Sequence, residues 1–114
     1  RVKGIFMDFL GYPAYTPLGA SRLLADTQAA LVPMAMTRKE NGNYHFLIFP
    51  EIPTIRTDNP EAGRQANTGN QNKFYSEIIR KYPAQWVWMH RRWKTTPESL
   101  AATLKARKES IQNK

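Results

Sequence analysis

The 114-residue chain contains no cysteine and few acidic residues, and both shortages narrow its chemistry. The lack of cysteine excludes disulfides, thiol nucleophiles and thiolate metal sites. Only 9 Asp and Glu stand against 17 Lys and Arg, which gives a formal net charge of +8. This charge favours anionic partners: nucleic acid, phospholipid headgroups, phosphorylated glycolipids or an acidic carrier protein. The sequence also lacks a run of 18 apolar residues, so it predicts no membrane-spanning helix.

The chain also lacks a recognisable catalytic pair. Transfer or hydrolysis without cysteine would need a histidine base that a carboxylate orients. The two histidines are His45 and His90, and the residues five positions later are Pro50 and Thr95 rather than Asp or Glu. Two arginines follow His90 directly, and their positive charge would lower its basicity. The sequence therefore predicts no catalytic residue, no metal site and no cofactor within this chain.

Short apolar runs separated by turn signals predict an α/β chain with the element order β-α-β-β-α-α. The predicted strands cover 2–10, 29–37 and 44–49, and Asn41-Gly42 predicts a hairpin between the last two. A strand-helix-strand unit favours a parallel pair with a right-handed crossover, so we expect a mixed sheet in a partial three-layer sandwich. Such a sheet would leave one edge exposed, and an exposed edge favours a homo-oligomer.

The first helix is predicted from a local start signal. Thr16 provides a hydroxyl N-cap and Pro17 a proline at the first helical position, and the helix should run to about Thr27. Gly11 should let the chain turn at the end of the first strand. The free N–H groups of such a helix start attract anions, although an ordinary turn from strand to helix explains the same pattern. Further helices are predicted over 64–82, at Pro83 and from Pro97 onward.

The stretch PAQWVWMHRRWK, residues 83–94, concentrates tryptophan and positive charge. Helical spacing places on one side Trp86, Met89 and Trp93. It places on the other side Trp88, Arg91, Arg92 and Thr95. This arrangement fits a membrane surface or an anionic lipid, a groove for single-stranded nucleic acid, or a core of tryptophans with solvated charges.

From this stretch we predict an anion site for substrate phosphate or lipid headgroups, because arginine binds phosphate through paired hydrogen bonds. Its residues would be Arg91, Arg92 and Lys94, with Trp88 close to the membrane interface and His90 donating from its ring to backbone or phosphate. Trp86 and Met89 should instead face the core.

Three stretches resemble a known family. They are FMDFLGYPAYTPLGASRLLADTQAALVP (6–33), RKENGNYHFLIFPEI (38–52) and KYPAQWVWMHRRWKTTP (81–97). Together they resemble the C-terminal half of the bacterial lipid A biosynthesis acyltransferases, the lauroyl and myristoyl transferases of the lysophospholipid acyltransferase-like superfamily. The resemblance covers about 1–97 and leaves 98–114 as a terminal helix. It adds Gly11, Thr16 and Arg22 to the predicted substrate-binding residues.

The resemblance implies transfer of a fatty acyl chain from acyl carrier protein to a lipid A precursor, at the cytoplasmic face of the bacterial inner membrane. It also implies that a catalytic H-x-x-x-x-D/E motif precedes the region seen here. We therefore expect residues 1–114 to be a single fragment of an acyltransferase domain, inactive alone and partnered by a missing N-terminal half and an anionic membrane surface. Two alternatives are a glycolipid acyltransferase of the phosphatidylinositol mannoside type and a basic nucleic-acid-binding module. The second has no fold signature here, so we expect no nucleic-acid partner.

Overall fold

Two antiparallel β-hairpins and three α-helices make up residues 3–113, the part of the chain that the structure, a computed structural model, describes. The strands are β1 (Gly4–Phe9), β2 (Tyr12–Pro17), β3 (Met34–Arg38) and β4 (Tyr44–Ile48). The helices are α1 (Gly19–Asp26), α2 (Pro60–Lys81) and α3 (Pro97–Gln112), and Pro83–Gln85 forms one 3-10 turn. The α/β class is therefore confirmed. Val2 of the first predicted strand and Lys114 of the terminal helix lie outside the described residues.

The first hairpin turns through two residues with positive φ, Leu10 at 55° and Gly11 at 90°. This matches the two-residue turn whose twist suits a hairpin, and glycine adopts it without strain. The predicted turn at Gly11 is confirmed. The structure after the turn differs from the prediction. Instead of leading into a helix, the chain returns as strand β2 and pairs with β1 from Phe9↔Tyr12 to Gly4↔Pro17.

The predicted helix start at Thr16 is wrong, because Thr16 lies within β2 opposite Ile5. Helix α1 begins three residues later, and its N-cap residue Leu18 makes no side-chain capping bond. Pro13 and Pro17 lie in a two-stranded sheet at alternate positions whose nitrogens point away from β1. Proline is tolerated at such edge positions. Pairing with β1 therefore overrides the local capping signal.

The second hairpin is confirmed. Strands β3 and β4 pair from Met34↔Ile48 to Arg38↔Tyr44, and Gly42 at the turn has a φ of 86°. Strand β3 is shorter than the predicted strand over 29–37. Among residues 3–113 the two hairpins form separate antiparallel sheets, so the predicted mixed sheet with a parallel pair does not form there. The reason is the unpredicted β2, which takes the place beside β1 that the crossover would have supplied.

Helix α2 packs against β1 and α1 through a row of mainly polar side chains. It begins at Pro60, capped by Asn59, and ends one residue before the predicted Tyr82. Its buried polar residues are Asn67, Thr68, Asn72 and Ser76. Each makes a hydrogen bond, and no buried side-chain polar atom in the described residues lacks a partner. The predicted apolar stripe of Phe74, Ile78 and Tyr82 is half-buried.

The apolar core is small and lies between the first hairpin and α2. Its central cluster is formed by Phe9, Ala14 and Ile79, with Trp86 and Trp93 packed against it, and Leu18 and Leu24 are also buried. Helix α3 begins at Pro97 as predicted, behind a capping box at Thr96, and buries no residue. Within residues 3–113 no helix has the length and apolarity needed to cross a membrane.

Candidate functional site

An open cavity of about 300 Å³ lies where the first hairpin, α2 and the 83–94 segment meet. Its apolar lining includes Phe9, Tyr75 and Trp86, and its polar lining includes Thr16, Asn72 and Arg92. Aromatic walls with a few convergent polar groups are typical of small-molecule sites. Two of the predicted substrate-binding residues, Thr16 and Arg92, therefore meet in one cavity.

Arg92 is the charged group of this cavity. Its Nη1 donates to the carbonyl oxygen of Tyr15 at 3.0 Å, and its Nη2 donates to Thr16 Oγ1 at 3.0 Å. The guanidinium carbon lies 4.9 Å from the centre of the Phe9 ring, within cation–π range. Burial lowers the pKa of the Arg92 guanidinium, because desolvation disfavours its charged form. No carboxylate among residues 3–113 forms an ion pair with it.

The hydroxyl of Thr16 makes all the hydrogen bonds that a hydroxyl group can make. It donates to the carbonyl oxygen of Ala14 at 2.9 Å and accepts from Asn72 Nδ2 and from Arg92, each at 3.0 Å. A hydroxyl has one hydrogen to donate and two lone pairs to accept with. Thr16 thus joins α2 to the 83–94 segment through one buried atom.

Asn72 and Ser76 were missed by sequence reasoning. Asn72 Nδ2 also donates to the carbonyl oxygen of Asp8 at 3.3 Å, and Ser76 Oγ accepts from the backbone N–H of Leu10 at 3.1 Å. These contacts cover the outer edge of β1, opposite β2. The available signal was a polar row at i, i+4 and i+8 on a helix, in Thr68, Asn72 and Ser76, which resembles a solvated face when read alone.

The 83–94 segment is a chain of turns after Gln85 rather than the predicted helix. Gln85 reaches β3, where its Oε1 accepts from the N–H of Arg38 at 2.6 Å and its Nε2 donates to the carbonyl oxygen of Arg38 at 3.3 Å. Trp93 Nε1 donates to the carbonyl oxygen of Phe9 at 3.3 Å. The segment therefore holds both hairpins, β3 through Gln85 and β1–β2 through Arg92 and Trp93.

Except for Trp86, the other predicted residues of this segment point outward. Met89 is 89% exposed, so its predicted place in the core is wrong. Trp86 packs on Phe9 as predicted, with ring centres 6.0 Å apart. The exposed residues are Trp88, His90, Arg91 and Lys94. A turn structure has no periodic face, and this is why the helical division into two sides fails here.

The predicted cluster of three cations is separated by this geometry. Arg92 turns inward, whereas Arg91 and Lys94 are exposed. Trp88 Nε1 donates to the carbonyl oxygen of Pro83 at 2.7 Å. The ring of His90 makes no hydrogen bond within residues 3–113, and its backbone N–H donates to the carbonyl oxygen of Val87.

Arg22 and Gly11 lie outside this cavity. Arg22 is exposed on α1 and lines a smaller cavity of about 170 Å³ with Lys3, Glu61 and Arg64. Gly11 is exposed in the turn of the first hairpin. An unpredicted arginine, Arg56, binds the carbonyl oxygens of Leu24, Ala25 and Thr27 and so caps the C-terminal end of α1.

Neither histidine is placed for base catalysis. His45 is exposed on β4 opposite Thr37, and His90 is exposed in the turns. Neither pairs with a carboxylate in the described part of the chain. Residues 3–113 also contain no group of three metal-ligating side chains that could hold an ion.

Comparison with known proteins decides the family. The family model described as bacterial lipid A biosynthesis acyltransferase matches residues 1–95. The chain belongs to this family. The lipid A biosynthesis lauroyltransferase of Escherichia coli K12 is 32% identical over 88 residues, which is 76% of this chain and 28% of the relative. The palmitoleoyltransferase of the same organism and a lipid A biosynthesis acyltransferase of Shigella flexneri are each 34% identical over 70 residues, 60% of this chain and 21% of the relative.

The chain thus spans about a quarter of the length of the curated lipid A acyltransferases it matches. The matched range includes both hairpins, α1, α2 and the 83–94 segment, and it ends before α3. Every residue of the Arg92 cavity therefore lies within the range shared with the family.

Proposed function

We propose that this chain is part of an enzyme that transfers a fatty acyl chain from acyl carrier protein to a lipid A precursor. Family membership over residues 1–95 is the observation that carries the proposal. The relatives are a lauroyltransferase and a palmitoleoyltransferase of lipid A biosynthesis, which supports the acceptor and the type of group transferred. The net charge of +8 suits both an acidic carrier protein and a phosphorylated glycolipid.

Within the enzyme, this chain would contribute substrate-binding residues rather than the catalytic histidine and its acidic partner. Transfer from a thioester to a hydroxyl group needs a base that removes the hydroxyl proton as the new ester bond forms and the carbonyl C–S bond breaks, and the departing thiolate of the carrier takes up that proton. No His in this sequence has Asp or Glu five positions later. We infer that the catalytic histidine and acid are supplied by polypeptide outside these 114 residues. The partial three-layer sandwich and the place at the cytoplasmic face of the inner membrane are inferred from the same family.

Within the chain, the Arg92 cavity is the best-supported place for an anionic amphiphile. Two hydrogens of the guanidinium are used by Tyr15 and Thr16, and three further N–H donors have no acceptor among residues 3–113. A phosphate can accept a pair of them. The aromatic walls of Phe9, Tyr75 and Trp86 suit the apolar part of the same molecule.

Binding of a phosphorylated lipid A precursor tests this assignment. We expect Arg92→Gln to weaken binding about tenfold, since one charge-assisted phosphate contact is lost. Arg91→Gln is the matched control, because it removes the same charge from an exposed neighbour. Equal losses in the two variants would show that binding follows net charge and that the cavity is not the site.

A second variant separates binding from folding, since Arg92 also holds β2. Tyr75 lines the cavity, is 49% exposed and bonds to no other element through its hydroxyl. Tyr75→Ser should weaken precursor binding several-fold and leave the far-ultraviolet circular dichroism spectrum unchanged. The isolated chain should show no acyl transfer. Turnover that increases with the concentration of this chain would contradict the inference that the catalytic base lies outside these 114 residues.

A further inference from the structure

The polar row of α2 contributes one residue to the Arg92 cavity that the proposed function does not use. Asn72 is buried, and its Nδ2 donates to the carbonyl oxygen of Asp8 at 3.3 Å and to Thr16 Oγ1 at 3.0 Å. An amide nitrogen carries two hydrogens, so both of its donors have a partner within the protein. Asn72 therefore lines the cavity but has no donor left for an anion bound there.

The direction of each hydrogen bond around Thr16 is set by backbone carbonyl groups. The carbonyl oxygen of Asp8 can only accept, so Asn72 must turn its amide nitrogen rather than its oxygen toward β1. The carbonyl oxygen of Ala14 likewise takes the hydroxyl hydrogen of Thr16 at 2.9 Å. Both lone pairs of the hydroxyl are then left as acceptors, one for Asn72 and one for Arg92. One arrangement of hydrogens therefore satisfies the whole network.

This network fixes the orientation of the Arg92 guanidinium. The bond from Nη1 to the carbonyl oxygen of Tyr15 would by itself let the group turn about that bond. The Phe9 ring, 4.9 Å from the guanidinium carbon, attracts the charge but does not select the direction of the N–H bonds. The bond from Nη2 to Thr16 Oγ1 supplies the second fixed point. The unused N–H donors are therefore oriented before a ligand binds, which reduces the side-chain freedom lost on binding.

We propose that Asn72 is a positioning residue of the Arg92 cavity: through Thr16 it holds the guanidinium in the orientation that receives a phosphate group. The proposal rests on the proposed function for the role of Arg92. It adds that a residue with no contact to the ligand contributes to how tightly the ligand binds. Asn72 and Thr16 are buried by other residues of this chain, so their contacts do not depend on polypeptide outside these 114 residues.

A first experiment observes Arg92 directly and uses no ligand. In nuclear magnetic resonance spectra of the chain with isotope-labelled arginine, rotation about the Nε–Cζ bond exchanges the two Nη nitrogens, so a guanidinium held at both should give two separate signals. We expect Asn72→Leu to merge the two Arg92 signals, because leucine keeps the branched shape and removes the donor. Thr16→Val removes the acceptor of Nη2 itself and sets the size of the full effect. Asn72→Ala is measured instead if the leucine variant does not fold.

Ser76→Ala is the matched control for a general loss of stability. Ser76 belongs to the same row of α2, and its Oγ accepts from the backbone N–H of Leu10 at 3.1 Å, so its loss also weakens the packing of α2 on the first hairpin. Within residues 3–113 Ser76 bonds to neither Thr16 nor Arg92. Arg92 should therefore keep two signals in this variant. Merged signals in both variants, or separate signals in both, would overturn the proposal.

A second experiment tests whether Asn72 acts through Arg92. We expect Asn72→Leu to weaken binding of a phosphorylated lipid A precursor about threefold, and Arg92→Gln about tenfold. The double variant should also bind about tenfold more weakly than the unaltered chain, because a residue that acts through Arg92 has no effect once Arg92 is gone. Independent effects would instead multiply to about thirtyfold. That result would show that Asn72 does not position Arg92.

The two experiments distinguish failure of this proposal from failure of the proposed function. Equal binding by Arg92→Gln and Arg91→Gln would contradict the cavity as the phosphate site, whatever the Arg92 signals show. Separate Arg92 signals in Asn72→Leu, or the multiplied loss in the double variant, would contradict positioning by Asn72 and leave Arg92 as the phosphate ligand.

Discussion

The two hairpins have the same architecture, but their outer edges differ in how far other parts of the protein cover them. In β1–β2, Asn72 of α2 binds the outer edge of β1 at Asp8, and Arg92 binds the outer edge of β2 at Tyr15. In β3–β4, Gln85 binds the outer edge of β3 at Arg38, and β4 has no strand or side chain on its outer edge among residues 3–113. A hairpin that is covered on its edges by side chains can be stable without joining a larger sheet.

The comparison also separates two uses of aromatic residues. Phe9 on the first hairpin is 3% exposed and lies between Trp86, Trp93 and Arg92, whereas Phe46 on the second is 52% exposed. The first hairpin therefore carries the core, and the second presents a surface. Substitutions at matched positions of the two hairpins should differ accordingly in stability.

The largest expected difference is between Phe9→Ala and Phe46→Ala. Removing the Phe9 ring leaves a cavity under two tryptophans and should lower the free energy of unfolding by about 3 kcal/mol. The corresponding change at Phe46 should cost less than about 1 kcal/mol, because half of its surface is already in water. Urea unfolding followed by circular dichroism measures both. Similar losses would mean that the Phe46 side of the second hairpin is packed in solution.

Next in size is the difference between two adjacent arginines. Arg92→Ala removes two hydrogen bonds and the contact with Phe9, and should lower the free energy of unfolding by about 2 kcal/mol, a value reduced for its partial exposure. Arg91→Ala should change it by no more than about 0.5 kcal/mol. The same urea titration applies. Equal and small effects would show that Arg92 does not hold β2.

A smaller effect is expected at Thr16, where the hydroxyl alone is tested. Thr16→Val keeps the branched shape but removes one of the two acceptors of Asn72 Nδ2 and the acceptor of Arg92 Nη2, and should lower the free energy of unfolding by about 1.5 kcal/mol. Thr16→Ser keeps the hydroxyl and should cost about 0.5 kcal/mol. Thermal unfolding of the two variants side by side is sufficient. A serine variant as unstable as the valine variant would place the effect in the lost methyl group.

Thr16 also shows how far the sequence could predict the fold. The Asn-Gly turn, β4, α3 and the turn at Gly11 depend on local signals, and these predictions are confirmed. Thr16-Pro17 carries an equally good local signal for a helix start, but pairing with β1 along six residue pairs determines its structure. Nonlocal pairing of this kind is not encoded in any short window, and β2 could not be predicted from one.

The candidate site was predictable only in part for a similar reason. Arg92 was singled out by residue type and Thr16 by a helix-start signal and the family resemblance, and the structure brings Arg92 Nη2 to 3.0 Å from Thr16 Oγ1. Their partner Asn72 stands 56 residues from Thr16 on a helix whose buried face is polar. A rule that places apolar side chains inward selects Phe74 and Ile78 instead, so the polar contacts that join the elements were missed.

The smallest expected effect tests Gln85, the one side chain among residues 3–113 that forms hydrogen bonds along an outer edge of the second hairpin. Gln85 forms two bonds with the backbone of Arg38, as a neighbouring strand would. Gln85→Ala should therefore release the Arg38 amide, whose hydrogen exchange should become about fivefold faster, equivalent to roughly 1 kcal/mol. The adjacent Thr37 amide points toward β4 and should exchange at its original rate. Gln28→Ala, at another exposed glutamine, is the matched control. Faster exchange at Arg38 alone would establish that the 83–94 segment protects β3 locally. Equal acceleration at Arg38 and Thr37 would instead show that Gln85 holds the whole hairpin against α2, and the contrast between a covered and an open hairpin would then depend on a single glutamine.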